Sequence, residues 1–152
     1  MREENVRKKQ VYDRLKINKK PITDALSTLG VDTVKVTYSG SGDEGQIDDV
    51  TFYDSGSKEL KVDGKVKVIT HKSKFVTDKW VETEIIEEQD LSQALEDFCN
   101  DWVEIEHGGY ENDDGGQGEM TIEVSESEFQ PSTFKLVHGD NYVETTDYEH
   151  NL

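Results

Sequence analysis

The strongest constraint on the fold is a segment in which apolar residues recur every three or four positions. These residues are Leu91, Ala94, Leu95, Phe98, Trp102 and Ile105. The spacing places all of them on one face of an α-helix. Asp90 is a suitable N-cap residue at the start of the segment, so we predict an amphipathic helix from 90 to 106.

Other segments alternate apolar and polar residues, which is the spacing of β-strands. The first contains Val34, Val36 and Tyr38, and a Gly-rich turn separates it from a second around Val50 and Phe52. Further strands are predicted over 66–69, 120–124, 133–137 and 142–148. Residues 79–86 favour a strand, with an approach to the following helix as the alternative. We therefore predict the α+β class, with one antiparallel β-sheet and the 90–106 helix packed on one face. An early hairpin group and a C-terminal meander build this sheet, while the position of 61–87 in it stays open.

The N-terminal segment predicts a helical hairpin. Residues 2–18 have a weak apolar stripe that favours a helix, and Pro21 suits the first position of a second helix. That second helix is predicted to stop near Gly30. We divide the chain into a basic N-terminal helical segment, 1–30, and a single acidic α+β domain, 31–152.

Composition indicates a folded protein in a reducing compartment. Charged residues make up 34% of the 152 residues and hydrophobic residues 32%, yet the chain keeps more aromatic residues than a disordered acidic chain would. Cys99 is the only cysteine, so it cannot form an internal disulfide. The sequence contains neither the apolar run of a secretory signal nor a stretch of roughly 20 apolar residues that could span a membrane. We expect a cytoplasmic protein with no membrane partner.

Charge is distributed unevenly along the chain. The net charge is −17, but residues 1–20 carry eight basic and three acidic residues, whereas 80–152 carry 21 acidic residues and one basic residue, Lys135. Such a field repels polyanions, and phosphate binding depends on Lys and Arg. We therefore predict no direct binding to nucleic acid, and a basic nucleic-acid-binding protein as the partner. A homodimer joined through the oppositely charged segments stays open.

Two segments carry motifs that resemble a known family. The first runs from Val36 to Val50, and the second from Leu95 through the Gly-rich stretch 108–118 to His150. They resemble a family of small, uncharacterised proteins of bacteria, plasmids and phages that is defined only as a domain of unknown function. The resemblance implies no activity and no site residue. It implies a mobile-element setting, in which small acidic proteins often disarm host defence.

Charge and resemblance together lead to one functional hypothesis. The protein is expected to be an acidic inhibitor that mimics nucleic acid and blocks a basic nucleic-acid-handling protein, such as a CRISPR effector. Alternate residues of a strand lie roughly 6.5 Å apart on one face, so strands can present ordered negative charge. The residues predicted to contact the partner are Glu82, Glu84, Glu87, Glu88, Glu96, Asp97, Asp101, Glu104, Asp113, Asp114, Glu126 and Glu128.

Two alternatives stay open at this point. In the first, the protein is an interaction module that uses an apolar or edge-strand surface, and the charge serves solubility. In the second, it is a small ligand-binding or enzymatic domain that uses the Gly-rich loops 40–46 and 108–119.

The sequence identifies no catalytic residue, metal site or cofactor. Cys99 is predicted to be a half-buried structural thiol, and the scattered histidines form no zinc pattern. The loop Glu111–Glu119 combines carboxylates with glycines, as calcium sites do, but it does not match the calcium-loop motif. Its residue types are also ordinary turn formers.

Overall fold

The structure is a computed structural model that describes residues 2–41, 44–106, 116–125, 132–140 and 148–152. Within these ranges the chain forms two helices and eight strands. In chain order they are α1 (Arg2–Thr28), β1 (Thr33–Ser41), β2 (Glu44–Tyr53), β3 (Glu59–Leu60), β4 (Lys65–Val76), β5 (Lys79–Asp90), α2 (Leu91–Glu106), β6 (Gly116–Glu123), β7 (Thr133–Asp140) and β8 (Tyr148–Asn151). The predicted α+β class is confirmed.

Six strands form an antiparallel sheet in the order β3-β2-β1-β6-β7-β8. It contains the predicted early hairpin, β1 with β2, and a C-terminal meander of β6, β7 and β8. The last strand is predicted over 142–148 but lies at Tyr148–Asn151, and 142–147 fall outside the described residues. The two groups meet where β1 pairs with β6. The β1–β2 ladder continues to the pair Ser41–Glu44, so much of the predicted Gly-rich turn is strand.

One face of this sheet carries the core. Val34 and Val36 of β1, Met120 of β6 and Phe134 of β7 are buried, because alternate residues of a strand point to the same face. The predicted helix over 90–106 is confirmed as α2, and its apolar stripe covers this face. The Phe98 ring packs against the Phe134 ring, with centroids 5.3 Å apart. Sheet and helix therefore share one core.

The predicted helical hairpin is wrong, because α1 continues through Pro21 as a single helix. A proline inside a helix removes one backbone hydrogen bond and costs roughly 3 kcal/mol. Leu15 before it and Ile22 and Leu26 after it are fully buried at helical spacing. Because burying one such side chain contributes about 1.5–3 kcal/mol, the shared apolar face outweighs the local cost.

α1 ends at Thr28, close to Gly30, where the sequence predicts the end of a helix. Gly30 has a φ of 76°, and this left-handed conformation favours glycine after a helix. The Gly30 N–H donates to the Ser27 carbonyl, and the Val31 N–H donates to the Leu26 carbonyl at 2.9 Å. These bonds form a Schellman motif, and Val31 and Leu26 are both buried in the core.

β4 and β5 form a separate two-stranded antiparallel sheet. Each strand has 12 residues and is therefore roughly 40 Å long. Thr77 and Asp78 in the connecting turn have φ values of 49° and 62°, as in the type I′ turns that suit the twist of a hairpin. Near the other end, Val66 and Val68 are buried in the common core.

Two predicted turns are strand in the structure. Gly116–Gly118 begin β6, and His138–Asp140 end β7. Gly118 pairs with Tyr38 across the sheet, and a Cβ atom at this glycine would lie 2.5 Å from the Tyr38 ring. Glycine therefore makes room here for a buried aromatic ring. Residues 107–115 and 141–147 lie outside the described residues.

Candidate functional site

The most unusual feature of the surface is where its apolar side chains lie. Eight large apolar side chains are exposed among the residues that the structure describes, and six of them lie on β4 or β5. The six are Phe75, Val76, Trp80, Val81, Ile85 and Ile86. They all fall within residues 69–86, which we call the arm. Monomeric proteins seldom expose apolar patches of more than a few hundred Å², and larger patches mark interaction sites.

The tip of the arm is an aromatic pair. Phe75 and Trp80 lie directly opposite each other across the hairpin, and their ring centroids are 5.3 Å apart. Trp80 is 71% exposed and Phe75 57% exposed. A second apolar position lies nearer the base, where Ile86 is 73% exposed. The arm therefore holds its aromatic rings in a fixed arrangement without covering them.

The base of the arm is attached to α1 by an amide group. The Asn18 side chain donates to the Ile69 carbonyl at 2.9 Å and accepts from the Ile69 N–H at 2.8 Å. These two bonds satisfy the outer backbone groups of β4, as a neighbouring strand would. Asn18 is 8% exposed, so its hydrogen bonds compete little with water.

Two contacts fix the direction of the arm. Leu29 packs on Gly64, and Asn18 bonds to Ile69, so β4 runs antiparallel to α1. Beyond the second contact β4 continues for roughly 23 Å and α1 for roughly 24 Å. The basic N-terminal half of α1 and the apolar tip of the arm therefore extend toward the same end of the molecule.

The predicted contact residues of β5 do not form an isolated acidic row. Glu88 lies directly opposite Lys67, and the neighbouring Asp90 opposite Lys65. Opposite charges at directly paired positions attract each other and reduce the local field. Lys65 and Lys67 of β4 therefore reduce the negative field of Glu88 and Asp90.

The other three predicted residues of β5 also have neighbours across the hairpin. Glu84 is exposed and pairs with His71 in the register of the hairpin, and Glu82 pairs with Ser73. Glu87 is half-buried and accepts a hydrogen bond from the Thr70 hydroxyl at 3.1 Å. This part of the predicted surface is thus partly committed to contacts within the hairpin.

The predicted residues of α2 lie in two different settings. Glu104 is exposed, and Glu96 is partly buried. Asp101 forms an ion pair with Arg14 of α1, and its Oδ2 atom accepts a hydrogen bond from Arg14 Nη2 at 3.1 Å. Asp97 accepts from the Gln93 amide at 2.9 Å. Asp113, Asp114, Glu126 and Glu128 lie outside the described residues, so the acidic surface can be followed only along β5 and α2.

The Arg14–Asp101 pair borders a cleft between α1, α2 and the base of the β4–β5 hairpin. The cleft has a volume of about 310 Å³. Its polar lining includes Arg14, Asn18, Gln89, Asp97, Asn100 and Asp101. The Gln89 Oε1 atom is buried and has no hydrogen-bond partner. Sequence reasoning missed this cleft, because its residues lie on three separate segments.

Cys99 is fully buried rather than half-buried. Burial raises the pKa of its thiol to about 12, because the anion would lose its hydration. A thiol with such a pKa is protonated at neutral pH and is a poor nucleophile. Across the described ranges, His, Cys, Asp and Glu residues form no group of three or more that could hold a metal ion.

Neither helix of the described residues combines the length and apolar content needed to cross a bilayer. A family model, described as a family of unknown function, DUF6878, matches residues 15–152. The chain belongs to this family. The resemblance to a domain of unknown function is therefore confirmed, and the DUF6878 match includes the whole arm. Comparisons with curated proteins and with solved structures find no match.

Proposed function

We propose that this DUF6878 protein is an interaction protein that binds a partner protein through the exposed apolar side chains of the arm, above all the aromatic pair at its tip. The observation that carries the proposal is the concentration of six of the eight exposed large apolar side chains on this one hairpin. Scattered exposed apolar residues are ordinary, but a concentrated group with aromatic residues is typical of a binding site.

The arm has the properties of an interface anchor. Trp is among the residues that most often dominate binding energy, and losing such an anchor costs about 2 kcal/mol or more. The Phe75–Trp80 pair is held on two paired strands, so little conformational freedom is lost when a partner covers it. Residues 69–86 contain three lysines and three acidic residues, so the arm has no net charge, which favours a partner surface that is mainly apolar.

A second candidate function rests on the net charge of −17. In this alternative the exposed acids Glu84, Glu88 and Glu104 engage a basic nucleic-acid-handling protein, as a nucleic-acid mimic with an inhibitory or anti-CRISPR role. The internal partners of Asp101 and Glu87 weaken this candidate relative to the arm. We also propose that the protein works in a reducing, cytoplasmic compartment, in which a lone thiol such as Cys99 stays reduced.

The proposal is tested by partner capture with matched variants. The protein is immobilised and exposed to nuclease-treated lysate of the source organism, and bound proteins are identified by mass spectrometry. A double variant, Phe75→Ser with Trp80→Ser, removes the aromatic pair. Ile17→Ser is the matched control, because Ile17 is 54% exposed on α1 and lies outside the arm.

We expect a partner that binds the wild type and the Ile17→Ser control but not the double variant. Such binding is expected to persist in moderate salt, because apolar contacts are screened little. A partner that binds the double variant normally, but is lost in salt or on Glu84→Lys with Glu104→Lys, would support the acidic surface instead. Equal capture by all four proteins would contradict both candidates.

A further inference from the structure

We propose that the arm binds its partner by β-strand addition, in which an extended segment with two alternate basic residues pairs with the outer edge of β5. This inference rests on the proposed function, because it states how the arm holds its partner and which chemistry the partner has. Three properties of 79–86 carry it: an open row of backbone groups, exposed side chains, and a register that leaves two acidic positions without a lysine opposite them.

The backbone of β5 has a strand on one side. Within the described residues β4 pairs with it, and the two form a sheet of two strands. The other edge of this sheet, on β4, is bonded near its base by Asn18, which takes the place of a neighbouring strand at Ile69. Among the described residues, no such group bonds to the outer edge of 79–86. An open edge of this kind is a template for pairing with another chain.

The contact with Asn18 also determines which backbone groups of β5 point outward. Because the N–H and carbonyl of Ile69 both point away from β5, Ile69 and Ile86 form a pair without direct hydrogen bonds, and such pairs alternate along the ladder. The two-residue turn after Val76 gives the same phase, since the residues that flank such a turn bond to each other. The outward groups over roughly 20 Å therefore belong to Trp80, Glu82, Glu84 and Ile86.

The side chains along this edge are uncovered. Among 79–86, every side chain that the structure describes is exposed. Trp80 and Ile86 lie on one face of the hairpin, and Val81 and Ile85 lie on the other, because successive residues of a strand alternate in direction. An isolated two-stranded hairpin is at best marginally stable in water. A third strand would bond to the outward groups and cover apolar side chains on both faces.

The register selects a strand with basic residues. Glu84 pairs with His71. Glu82 pairs with Ser73, so neither acidic position has a lysine directly opposite it, unlike Glu88 at the base of the hairpin. Opposite charges at paired positions attract, and like charges repel. The added strand therefore carries Lys or Arg opposite these two glutamates and apolar residues at either end, whereas a second copy of β5 would place acid against acid.

The probe is a capped heptapeptide of sequence Val-Thr-Lys-Thr-Lys-Thr-Phe, added to the full chain at millimolar concentration. In antiparallel alignment with 80–86, its lysines lie opposite the two glutamates. Its Val and Phe lie opposite Ile86 and Trp80. Hydrogen exchange followed by NMR reports on each backbone amide of β5 separately, so it distinguishes the outer edge of the strand from the edge that faces β4.

Binding at the outer edge is expected to change the exchange of particular amides. In the free protein the outward amides of Glu84 and Ile86 are expected to exchange fast, and the Ile85 amide, which faces β4, slowly. The peptide is expected to slow the two outward amides by about tenfold or more and to leave Ile85 unchanged. Unchanged exchange at the outward amides would overturn the proposal.

Two methylated peptides separate strand addition from other modes of binding. Methylation of the backbone nitrogens of both lysines removes the N–H groups that would face β5. Methylation at two of the threonines removes N–H groups that would face solvent instead. The first peptide is expected to give no protection, and the second to protect as the parent does. Equal binding of both would overturn strand addition, because side-chain contacts alone would then hold the peptide.

Matched charge reversals test the choice of a basic strand. Glu84→Lys is expected to weaken binding of the lysine peptide and to favour a peptide with Glu in place of both lysines. Glu104→Lys makes the same change on the exposed face of α2 and is expected to leave both affinities unchanged at physiological salt, where exposed charges more than about 8 Å apart are screened. Equal weakening by both variants would overturn the assignment of a basic strand.

The outcomes also separate this inference from the proposed function. If the double variant Phe75→Ser with Trp80→Ser loses its partner but the peptide gives no protection, the arm binds through its side chains and strand addition alone fails. If the peptide protects β5 but the double variant keeps its partner, strand addition stands and the aromatic anchor fails.

Discussion

The main sheet and the β4–β5 hairpin are both antiparallel and both contain apolar residues, but they use these residues in opposite ways. Val34 and Val36 of β1 are fully buried under α2, whereas Trp80 and Ile86 of β5 are more than 70% exposed. Apolar residues thus lie in β-strands in both places. What differs is whether another element covers the strand, and a strand left uncovered marks a surface for binding.

The largest difference in how a substitution changes the free energy of unfolding is expected between the two tryptophans. Trp102 of α2 is 1% exposed and Trp80 is 71% exposed. Because truncating a buried tryptophan leaves a cavity, Trp102→Ala is expected to lower the free energy of unfolding by about 3–5 kcal/mol. Urea denaturation followed by far-UV circular dichroism measures this. A loss below about 1 kcal/mol would contradict the packing of α2 on the sheet.

The buried Cys99 thiol of α2 is expected to react very slowly with thiol reagents. Burial raises the pKa of the Cys99 thiol to about 12, so its thiolate fraction at pH 8 is about a thousandfold lower than that of an exposed thiol. Reaction with a disulfide reagent is therefore expected to be at least that much slower in the folded protein than in urea. Fast labelling without denaturant would place Cys99 outside the core.

The same pKa shift predicts a dependence of stability on pH. The folded state keeps Cys99 protonated, whereas the unfolded thiol ionises above its ordinary pKa. This contribution is therefore complete below about pH 9 and is lost as the pH rises toward 12. Comparison of the wild type with Cys99→Ala between pH 8 and 10.5 isolates it. An identical decline in both proteins would contradict the shift.

The packing of the main sheet depends on Gly118, which leaves room for the buried Tyr38 ring. A Cβ atom at Gly118 would meet the buried Tyr38 ring at 2.5 Å, so Gly118→Ala is expected to destabilise the protein by about 1–3 kcal/mol. Thermal unfolding measures the loss. Gly56→Ala is the control, because its nearest atom, Asp54 Oδ1, lies at an ordinary 3.4 Å. Equal effects of the two substitutions would contradict the Tyr38–Gly118 contact.

The attachment of the arm is expected to depend on Asn18. Asn18→Ala removes two hydrogen bonds to Ile69 and is expected to cost about 1–2 kcal/mol. Hydrogen exchange of the Ile69 amide is expected to accelerate, while the Val36 amide in the main sheet exchanges as before. Acceleration at both amides by the same factor would indicate that the hairpin and the main sheet unfold as one unit.

The helices and the main sheet could be predicted from the sequence more completely than the exposed arm. The stripe of α2 and the Gly30 helix end rest on local spacing and backbone conformation, and both predictions are confirmed. The course of α1 through Pro21 depends on tertiary burial of Leu15 and Leu26, which a local rule for proline does not include. The exposure of Trp80 is equally nonlocal, because alternation identifies a strand but not its neighbour.

The candidate site was harder to predict for the same reason. Charge counting selects acidic residues such as Asp101 and Glu88, but it does not register the cations placed against them by the fold, Arg14 and Lys67. The cleft residue Gln89 carries no charge and follows no motif. It becomes notable only because the fold buries its Oε1 atom without a donor.

The smallest expected effect on stability is at the tip of the arm. Trp80→Ser changes an exposed side chain, so it is expected to alter the free energy of unfolding by no more than about 0.5 kcal/mol. In a Trp102→Phe background Trp80 is the sole tryptophan, and its fluorescence is expected to be quenched by acrylamide almost as strongly as that of a free indole. In the reciprocal Trp80→Phe background, buried Trp102 is expected to resist quenching. A loss of stability comparable to that of Trp102→Ala, or a protected Trp80, would mean that the arm is covered in solution by the chain itself or by a second copy, and the contrast between the two regions would disappear.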